Sequence, residues 1–449
     1  MNNMETDAEP PTIGLLGLHV SKESKAILNA AAALGFGTEW LRRENTAVSI
    51  TDGEVALEPD VDVIVNRLLL STSTQPAEAL GLARMLDEQR PMLNGPEAVG
   101  TAMHKYAAAV ALANEGVPVP DSLLALAGDR LNAERGRFGD PAVYKTAIGT
   151  HGGGSWQVHL DKPVNPQVGE RQAFLQEFVD QPGTQRDLRV YLVGGDIVGA
   201  MYRYAPEGDW RTNVSLGGRV EDATGAVPRD AAETATRAAD VLGLDYAGVD
   251  LISNGEGWYV LEVNPTAGFR GLFEATGHSP APHVAALAAE HLGVPVDDDE
   301  VEALAGELDD SQPDCVAQRR PGANVEPSVI GYVEEVTVSG TRGTETVYAK
   351  SDTGAKRSSI DLQLAADIGT GPITNVVRVR SGSDKASRTR PVVDIVVGVG
   401  GQQYTVSASV EDREHMQYPL LLGRDILESY QVDVGRQADR PAGSRDIEE

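Results

Sequence analysis

The chain has 449 residues, a formal net charge of −29 at pH 7 and 41% hydrophobic residues. This length exceeds what one hydrophobic core supports, so two or three domains are expected. The acidic residues are spread along the whole chain, a pattern typical of a salt-adapted (halophilic) proteome. No basic stripe is present to neutralise nucleic-acid phosphates, and no apolar run approaches the length of a membrane span, which argues against both kinds of partner.

The N-terminus and the cysteine content indicate a cytoplasmic protein. Residues 1–11 are polar and acidic, without the basic-then-apolar pattern of a signal peptide, and are expected to form a disordered tail. Cys315 is the only cysteine. An internal disulfide and a cysteine-built zinc site are therefore excluded, as expected in a reducing compartment.

Alternating strand and helix patterns predict a small parallel-sheet α/β domain over residues 12–97. Its predicted elements are strand 12–18, helix 22–34, strand 38–41, strand 61–65 and helix 76–89. A second domain is predicted over residues 98–294. It begins with a helix over residues 98–115 that carries His104 and Lys105.

A glycine-rich loop, residues 149–155, follows a strand that ends at Lys145. Such a loop lets backbone N–H groups approach phosphate oxygens, and the lysine provides a compact positive charge beside them. An ordinary hairpin loop is the alternative, because the loop lacks a Walker-A pattern and no helix follows it. Lysine is scarce in this chain, so the placement of Lys105 and Lys145 beside such segments favours a phosphate-binding function.

Two short apolar strands, 247–253 and 257–265, are joined by the turn sequence Asn-Gly-Glu-Gly. Adjacent hairpin strands would bring Asp250 and Glu262 together, and Asn264 shares a face with Glu262 because side chains alternate along a strand. Two carboxylates and an amide oxygen form an all-oxygen set that suits magnesium, with phosphate oxygens completing the shell. A solvated acidic hairpin is the alternative.

Residues 12–294 resemble an ATP-grasp ligase of the RimK type, a group with ribosomal-protein glutamate ligases and coenzyme-glutamylating and lysine-biosynthesis relatives. The matching segments occur in collinear order: His104-Lys105, Lys145 with Gly149-Thr-His-Gly, Gln176-Glu-Phe-Val, Asp187-Leu-Arg189, Asp209-Trp-Arg-Thr-Asn, Ala247-Gly-Val-Asp250 and Leu261-Glu-Val-Asn264. The resemblance implies a pre-ATP-grasp parallel α/β domain followed by two α+β subdomains, with a lid at about residues 120–180.

The resemblance also implies the roles of individual residues. Lys105 and Lys145 would bind the ATP phosphates, Gln176, Glu177, Phe178 and Val179 would lie at the adenine, Asp187 at the ribose, and Arg211 and Asn213 at the reacting phosphate. Arg203 and Arg211 would act in catalysis by clamping carboxylate and phosphate oxygens. Asp250, Glu262 and Asn264 would hold magnesium, or alternatively manganese.

The implied reaction forms an amide bond at the expense of ATP. The γ-phosphoryl group moves onto a substrate carboxylate, and an amine attacks the resulting acyl phosphate. The resemblance suggests glutamate as the amino acid and a protein or a cofactor as the carboxylate-bearing acceptor. The loop 149–155 is expected to close as a lid and keep water from the intermediate.

The remaining chain changes in character after residue 294. Residues 295–326 are acidic and proline-containing and predict a solvated linker. Residues 327–436 alternate short Val/Ile/Thr-rich strands with glycine turns and predict a small all-β barrel. Residues 437–449 predict a polar tail.

The β region contains Asp352-Thr-Gly on a tight turn after a strand, and an apolar run that ends at Gly423. These motifs resemble the retropepsin-like family often labelled an ATP-dependent zinc protease, which accompanies RimK-type ligases. Zinc is not expected, because His415 is the only histidine of this region and no cysteine is present. One catalytic Asp352 per chain implies a homodimer or homotetramer. A binding or dimerising barrel with an inert Asp352 is the alternative.

Three functions remain open at this stage. The first is a ligase with a fused aspartic-peptidase-like domain. The second is a processing peptidase regulated by a nucleotide-binding half, and the third is a nucleotide-gated scaffold with neither activity.

Overall fold

A computed structural model of the chain describes residues 10–18, 21–43, 45–73, 75–149, 154–181, 183–206, 208–212, 218–308, 328–370, 373, 375–379, 388–413, 416–428 and 430–438. The chain divides into two compact units, residues 1–321 and 322–449. In the described ranges no helix is both long and apolar enough to span a membrane.

The first unit begins with a parallel sheet of order β2-β1-β5-β6. Its elements are β1 (Thr12–Leu16), α1 (Lys22–Ala33), β2 (Gly37–Leu41), β3 (Ala47–Thr51), β4 (Glu54–Glu58), β5 (Val63–Asn66), α2 (Pro76–Asp87) and β6 (Met92–Leu93). The predicted β/α alternation is confirmed. The β3–β4 hairpin was not predicted, and it forms a separate two-stranded ribbon.

The predicted helix 98–115 is wrong, because the chain forms α3 (Pro96–Met103) and α4 (Lys105–Asn114) instead. The break lies at His104, whose backbone is extended at φ −92° and ψ 95°. The His104 Nδ1 atom accepts a hydrogen bond from the backbone N–H of Ala107 at 3.1 Å. This cap satisfies a free N–H at the start of α4 and makes Lys105 its first residue.

A second sheet has the order β10-β11-β8-β9, with β7 paired to β11. Its elements are β7 (Ser122–Leu123), α5 (Gly128–Glu134), β8 (Ala142–Thr146), β9 (Ser155–Val158), β10 (Gln167–Val168) and β11 (Arg171–Glu177). A small core holds it together and includes Leu131, Phe138 and Leu175. We call this sheet the lid sheet. Residues 150–153 of the predicted lid loop lie outside the described residues.

A third, antiparallel sheet has the order β14-β13-β12-β15-β16. Its elements and the helices around it are β12 (Arg186–Val193), β13 (Asp196–Tyr204), β14 (Arg219–Asp222), α6 (Arg229–Leu242), β15 (Tyr246–Ser253), β16 (Trp258–Asn264), α7 (Arg270–Thr276), α8 (Ala281–Glu290) and α9 (Asp298–Glu307). We call it the base sheet. Its apolar face packs against an alanine-rich stripe of α6, which includes Ala231, Ala235 and Ala238.

The predicted linker 295–326 is wrong in its first part, because α9 lies there. The side chains of Val301 and Ala305 are buried, and the Ser279 N–H donates to the Ala305 carbonyl at 2.8 Å. Three acidic residues of α9, Asp298, Asp299 and Glu300, lie in its first turn, where their charge interacts favourably with the helix dipole. Residues 309–326 of that prediction, which include Cys315, lie outside the described residues.

The described part of the second unit is a β-barrel with two short helices. Its elements are β17 (Val329–Ser339), β18 (Thr344–Ser351), β19 (Ser359–Asp361), α10 (Leu362–Ile368), β20 (Asn375–Val379), β21 (Arg388–Val399), β22 (Gln402–Glu411), β23 (Leu420–Leu422), α11 (Arg424–Leu427) and β24 (Gln431–Gln437). The sheet order is β20-β21-β22-β19-β23-β18-β17-β24, and an additional β17–β21 pairing closes the barrel. The predicted all-β character is confirmed, although α10 and α11 were not predicted.

Candidate active site

A cleft lies between the lid sheet and the base sheet. Residues of β8 and β11 line it from the lid side, and residues of β12, β13, β15 and β16 line it from the base side. Of the predicted site residues, eleven line this cleft: Lys105, Lys145, Gln176, Glu177, Phe178, Val179, Asp187, Arg203, Arg211, Asp250 and Glu262. The fold therefore brings together residues that are up to 157 positions apart, from 105 to 262.

The predicted acidic hairpin is confirmed. Strands β15 and β16 pair in antiparallel register with Asp250 opposite Glu262. The turn Asn254–Gly257 is held by the Asn254 side chain, which accepts hydrogen bonds from the N–H groups of Glu256 and Gly257. A register irregularity follows Asp250 on β15. The hairpin thus presents two carboxylates side by side on the base sheet.

Asp250 is bound by two arginines. Arg189, directly opposite it on β12, donates from Nε to Oδ1 at 2.5 Å and from Nη2 to Oδ2 at 2.7 Å. Arg203 Nη2 lies 2.9 Å from Oδ2. Burial alone would raise the pKa of the Asp250 carboxyl, but the two guanidinium groups outweigh it and lower that pKa. Asp250 is therefore ionised at neutral pH.

Asp187 forms a second buried ion pair with Arg203. The two residues face each other on β12 and β13, and the guanidinium donates to both carboxylate oxygens at 2.7 and 2.6 Å. Thr212 Oγ1 donates to Asp187 Oδ2 at 2.5 Å. Arg203 is 3% exposed and Asp187 is 5% exposed. These bonds hold both side chains in one position, as a bidentate pair does.

The two predicted phosphate-binding lysines lie in the same cleft but have different partners. Lys105 Nζ lies 2.7 Å from Glu262 Oε2. Lys145 Nζ donates to Gln176 Oε1 at 2.5 Å. Burial, and then the charge of Lys105, lowers the pKa of Lys145 to about 8. The hydrogen-bond partner of Lys145 is thus a neutral amide, not a carboxylate. An anion in the cleft would stabilise the charged form of Lys145 and raise its pKa.

An aromatic pair lines another part of the cleft. Phe178 and Trp210 contact each other edge to face, with ring centroids 5.9 Å apart. Arg211 donates from Nη2 to Asp209 Oδ2 at 2.8 Å. Hydrogen bonds from Arg211 hold the pKa of Asp209 at about 2. The Phe178 and Trp210 rings offer apolar faces of the kind that stack on a planar ligand.

One predicted site residue of the first unit, Asn264, does not line the cleft. Asn264 lies one alternation beyond Glu262 on β16 and lines a neighbouring cavity instead. Asn213 lies outside the described residues, as does His415 of the second unit. The interpretation of the sequence gave no role to Trp210 or Thr212, although both line the cleft. An aromatic residue beside Arg211 was the available signal for Trp210.

The donor set is compatible with magnesium. Asp250 and Glu262 face each other across neighbouring strands, and the Asn264 amide is close along β16. Among the described residues no group of three or more His, Cys, Asp or Glu side chains could hold a metal ion. With the Asn264 amide, Asp250 and Glu262 form a set of oxygen donors. This set is the all-oxygen type that magnesium prefers.

Asp352 occupies the predicted tight turn in the second unit. It follows β18, and its Oδ1 atom accepts hydrogen bonds from the N–H groups of Gly354 at 3.0 Å and Ala355 at 3.2 Å. Strand β23 pairs in parallel with β18 directly behind the turn. The Asp352 N–H donates to the Leu422 carbonyl at 2.9 Å. The apolar strand therefore packs behind the turn as predicted.

Comparisons with known proteins define the fold first. The chain is similar to a solved structure of the ATP-grasp ligase PsnB complexed with a minimal precursor, with a TM-score of 0.50 and 18% identity. The match covers 64% of this chain and all of that one. It shows that the first unit has the ATP-grasp fold.

Residues 102–286 match the RimK-like ATP-grasp domain. The chain is 32% identical over 226 residues to the tetrahydromethanopterin:alpha-L-glutamate ligase of Methanosarcina acetivorans, covering 43% of this chain and 68% of that protein. It is also 32% identical over 198 residues to the protein of the same name from Methanocaldococcus jannaschii, covering 42% and 67% respectively. The chain belongs to the RimK-like ATP-grasp ligase family. Residues 369–442 match the retropepsin-like aspartic endopeptidase RimB, so the predicted companion domain is confirmed.

Proposed function

We propose that this protein is an ATP-dependent carboxylate–amine ligase that adds glutamate to a carboxylate of a protein or cofactor through an acyl phosphate. The main support is the composition of the cleft, in which an aromatic pair and a cluster of lysines and carboxylates line one cavity. A nucleoside triphosphate needs both features, because its base is planar and apolar and its phosphates are anionic. Both named archaeal relatives are glutamate ligases.

The side chains of the cleft have separate tasks in this proposal. Phe178, Val179 and Trp210 would contact the adenine, and Asp187 the ribose. Lys105 and Lys145 would bind the phosphates. Lys105 is paired with Glu262, and on nucleotide binding a phosphate oxygen of ATP would replace the Glu262 carboxylate as the partner of Lys105.

Magnesium fits Asp250, Glu262 and the Asn264 amide oxygen, and when bound there it would neutralise charge on the phosphates. The arginines beside Asp250 keep its carboxylate ionised and fixed. Arg203 and Arg211 would place donors beside developing phosphate charge. Asn213, assigned to the same phosphate by resemblance, completes the proposed set.

The reaction requires no nucleophilic side chain. An oxygen of the acceptor carboxylate forms a bond to the γ-phosphorus as the bond from that phosphorus to the β-γ bridging oxygen of ATP breaks, and ADP leaves. The amine nitrogen then attacks the acyl carbon, phosphate leaves, and the nitrogen loses a proton. The chain contributes positioning and exclusion of water from the acyl phosphate.

Incubation with ATP, magnesium and a panel of amino acids, each with a carboxylate acceptor, tests the proposal through phosphate release and mass spectrometry of the product. We expect release that depends on the amino acid, with glutamate preferred. Glu262→Gln should abolish it. Glu256→Gln is the matched control, because Glu256 is an exposed residue in the turn of the same hairpin.

Phosphate release that does not depend on the amino acid, or that persists in Glu262→Gln, would count against a ligase. Binding of ATP without any turnover would favour the nucleotide-gated scaffold.

We infer a second, aspartic-peptidase activity for the C-terminal unit, supported by the turn that holds Asp352. Its backbone hydrogen bonds fix one carboxylate oxygen. Two Asp352 carboxylates in a homodimer would share a proton and activate a water molecule. Peptide cleavage should be lost in Asp352→Asn and retained in Asp367→Asn, an exposed aspartate on α10. Sedimentation analysis should show a dimer. A monomer that cleaves no peptide would favour the alternative, a binding barrel with an inert Asp352.

A further inference from the structure

Asn94 lies at the junction between the parallel sheet and the β15–β16 hairpin. It lies between the end of β6 and the start of α3 at Pro96, and it is fully buried. Its backbone is in the left-handed region at φ 55°, which asparagine adopts more readily than most residues with a side chain. The conformation and the burial together indicate that this position is under strict structural control.

The Asn94 side chain bonds to both strands of the hairpin. Its Nδ2 atom donates to the Tyr246 carbonyl at 2.8 Å and to the Pro265 carbonyl at 3.0 Å. Its Oδ1 atom accepts from the N–H groups of Asp245 at 2.8 Å and Tyr246 at 3.2 Å. An asparagine amide offers two donor hydrogens and an oxygen with two lone pairs, so all four positions are used. The side chain thus joins the first residue of β15 to the residue after β16.

The amide of Asn94 closes the hairpin where its backbone ladder ends. The last pair in register is Gly248 opposite Asn264. Pro265 follows and has no N–H to contribute to further pairing. The Asn94 amide takes the place of a peptide group there, because it donates to a carbonyl on each side of the hairpin. A side chain from another sheet therefore fixes the open end of this hairpin.

Further bonds fix Asn94 itself. Its N–H donates to Asp245 Oδ2, and its carbonyl accepts from Asn66 Nδ2 at 2.9 Å. The Tyr246 hydroxyl donates to the Asn66 carbonyl at 2.5 Å. Asn66 is the last residue of β5, so the ends of β5 and β6 and the start of β15 are held in one arrangement.

We propose, on the basis of the ligase function above, that Asn94 is a positioning residue for the magnesium ligands of the hairpin. Asn264 is adjacent in the chain to Pro265, and Asp250 lies on the strand that begins at Tyr246. The bonds from Asn94 keep the end of β16 at a fixed offset from β15. Without them the Asn264 amide would move relative to the carboxylates of the hairpin.

A purely structural role for Asn94 predicts a different behaviour. Loss of its bonds would then lower the free energy of unfolding but leave magnesium binding by the folded protein unchanged. A positioning role predicts weaker magnesium binding by the folded protein. ADP without magnesium should bind as before, because Lys145 and the Phe178–Trp210 pair belong to other segments of the chain.

Asn94→Gly tests the role, because glycine keeps the left-handed backbone and removes the four side-chain bonds. The affinity for ADP is measured by calorimetry on the full chain, in EDTA and over a series of magnesium concentrations. The temperature is one at which urea denaturation shows the variant to be folded. We expect the magnesium concentration that gives half of the gain in affinity to rise about tenfold or more, with the affinity in EDTA unchanged within about twofold.

Asn132→Ala is the matched control. The Asn132 side chain also joins two segments, since it donates to the Gly128 and Val164 carbonyls at 2.7 and 2.9 Å and accepts from the Val164 N–H at 2.9 Å. It lies in the lid region, so its loss should lower stability and leave the magnesium dependence unchanged. Tyr246→Phe removes only the bond to the Asn66 carbonyl and decides if Asn94→Gly does not fold. We expect it to raise the magnesium requirement about threefold.

The wild-type protein separates the two proposals. If it makes amides and binds ADP more tightly with magnesium, only the positioning role is overturned by a normal magnesium requirement in Asn94→Gly, or in Tyr246→Phe where that variant decides. An equal shift in Asn132→Ala, or an equal loss of ADP affinity with and without magnesium, overturns it as well. If the wild-type protein shows no effect of magnesium on ADP binding and forms no amide, the ligase function itself fails.

Discussion

Arg189 and Asp250 lie opposite each other on neighbouring antiparallel strands and form a bidentate ion pair, with Nε–Oδ1 at 2.5 Å and Nη2–Oδ2 at 2.7 Å. Both side chains are largely buried, at 16% and 8% exposure. The residue proposed as a magnesium ligand is therefore also the counterion of two buried guanidinium groups. Loss of Asp250 would affect folding as well as catalysis.

Asp250→Asn is expected to lower the free energy of unfolding by about 3 kcal/mol, because it leaves buried arginine charge uncompensated. Urea denaturation followed by tryptophan fluorescence measures this. Glu221→Gln removes a comparable pair with Arg219 at 52% and 64% exposure and should change stability by about 0.5 kcal/mol or less. Equal stability of Asp250→Asn and the wild-type protein would contradict the structural role.

The affinity for ADP with magnesium should fall as the pH rises from 7 to 9. The pKa of Lys145 is lowered to about 8 by burial and by Lys105, so the ligand-free side chain loses its proton across this range, whereas a bound phosphate favours the charged form. Calorimetric titrations at several pH values measure the effect. Lys145→Met should bind weakly at every pH, and Lys162→Met, an exposed lysine of the lid region, should keep the pH dependence. An affinity independent of pH in the wild-type protein would refute this account.

Trp210→Ala should weaken ADP binding about tenfold, corresponding to about 1.4 kcal/mol of lost ring contact. The edge-to-face pair with Phe178 places this ring in the cleft wall. The matched control is Trp156→Ala, because Trp156 is on β9 at 38% exposure. Tripolyphosphate lacks a base, so its affinity should be the same in Trp210→Ala and in the wild-type protein. An equal loss of affinity for ADP and for tripolyphosphate in Trp210→Ala would mean that Trp210 does not contact the adenine.

His104→Ala should cost about 1 kcal/mol of stability, because the Nδ1 cap of α4 is lost. His104→Ser retains a side-chain acceptor at the N-cap and should recover most of that loss. The same denaturation series measures both variants. Nucleotide affinity should follow stability, since Lys105 begins this helix; a full loss in His104→Ser would mean that the ring has another function.

The local sequence pattern was sufficient to predict the β15–β16 hairpin that carries Asp250 and Glu262. The strands of Asp250 and Glu262, the turn between them and their direct pairing follow from period-two alternation and turn residues close in the chain. The β/α alternation of the first domain and the Asp352 turn with its backing strand follow from similarly short signals.

Other features depended on contacts that a local pattern does not contain. An apolar periodic stretch predicted one helix through His104, but the chain turns there so that Lys105 reaches the cleft. The acidic composition of the α9 segment predicts a solvated linker. Only the tertiary structure shows that the side chains of Val301 and Ala305 are buried.

The amino-acid order alone determined the family, the proposed nucleotide-binding segments and the carboxylate pair, because these signals are carried by residues near one another in the chain. Tertiary structure decided which charges neutralise which, as with Arg203 beside both Asp187 and Asp250. It also decided that Asn94 bonds to both Tyr246 and Pro265. The physical reason is that such pairs form only where separate sheets and loops pack together.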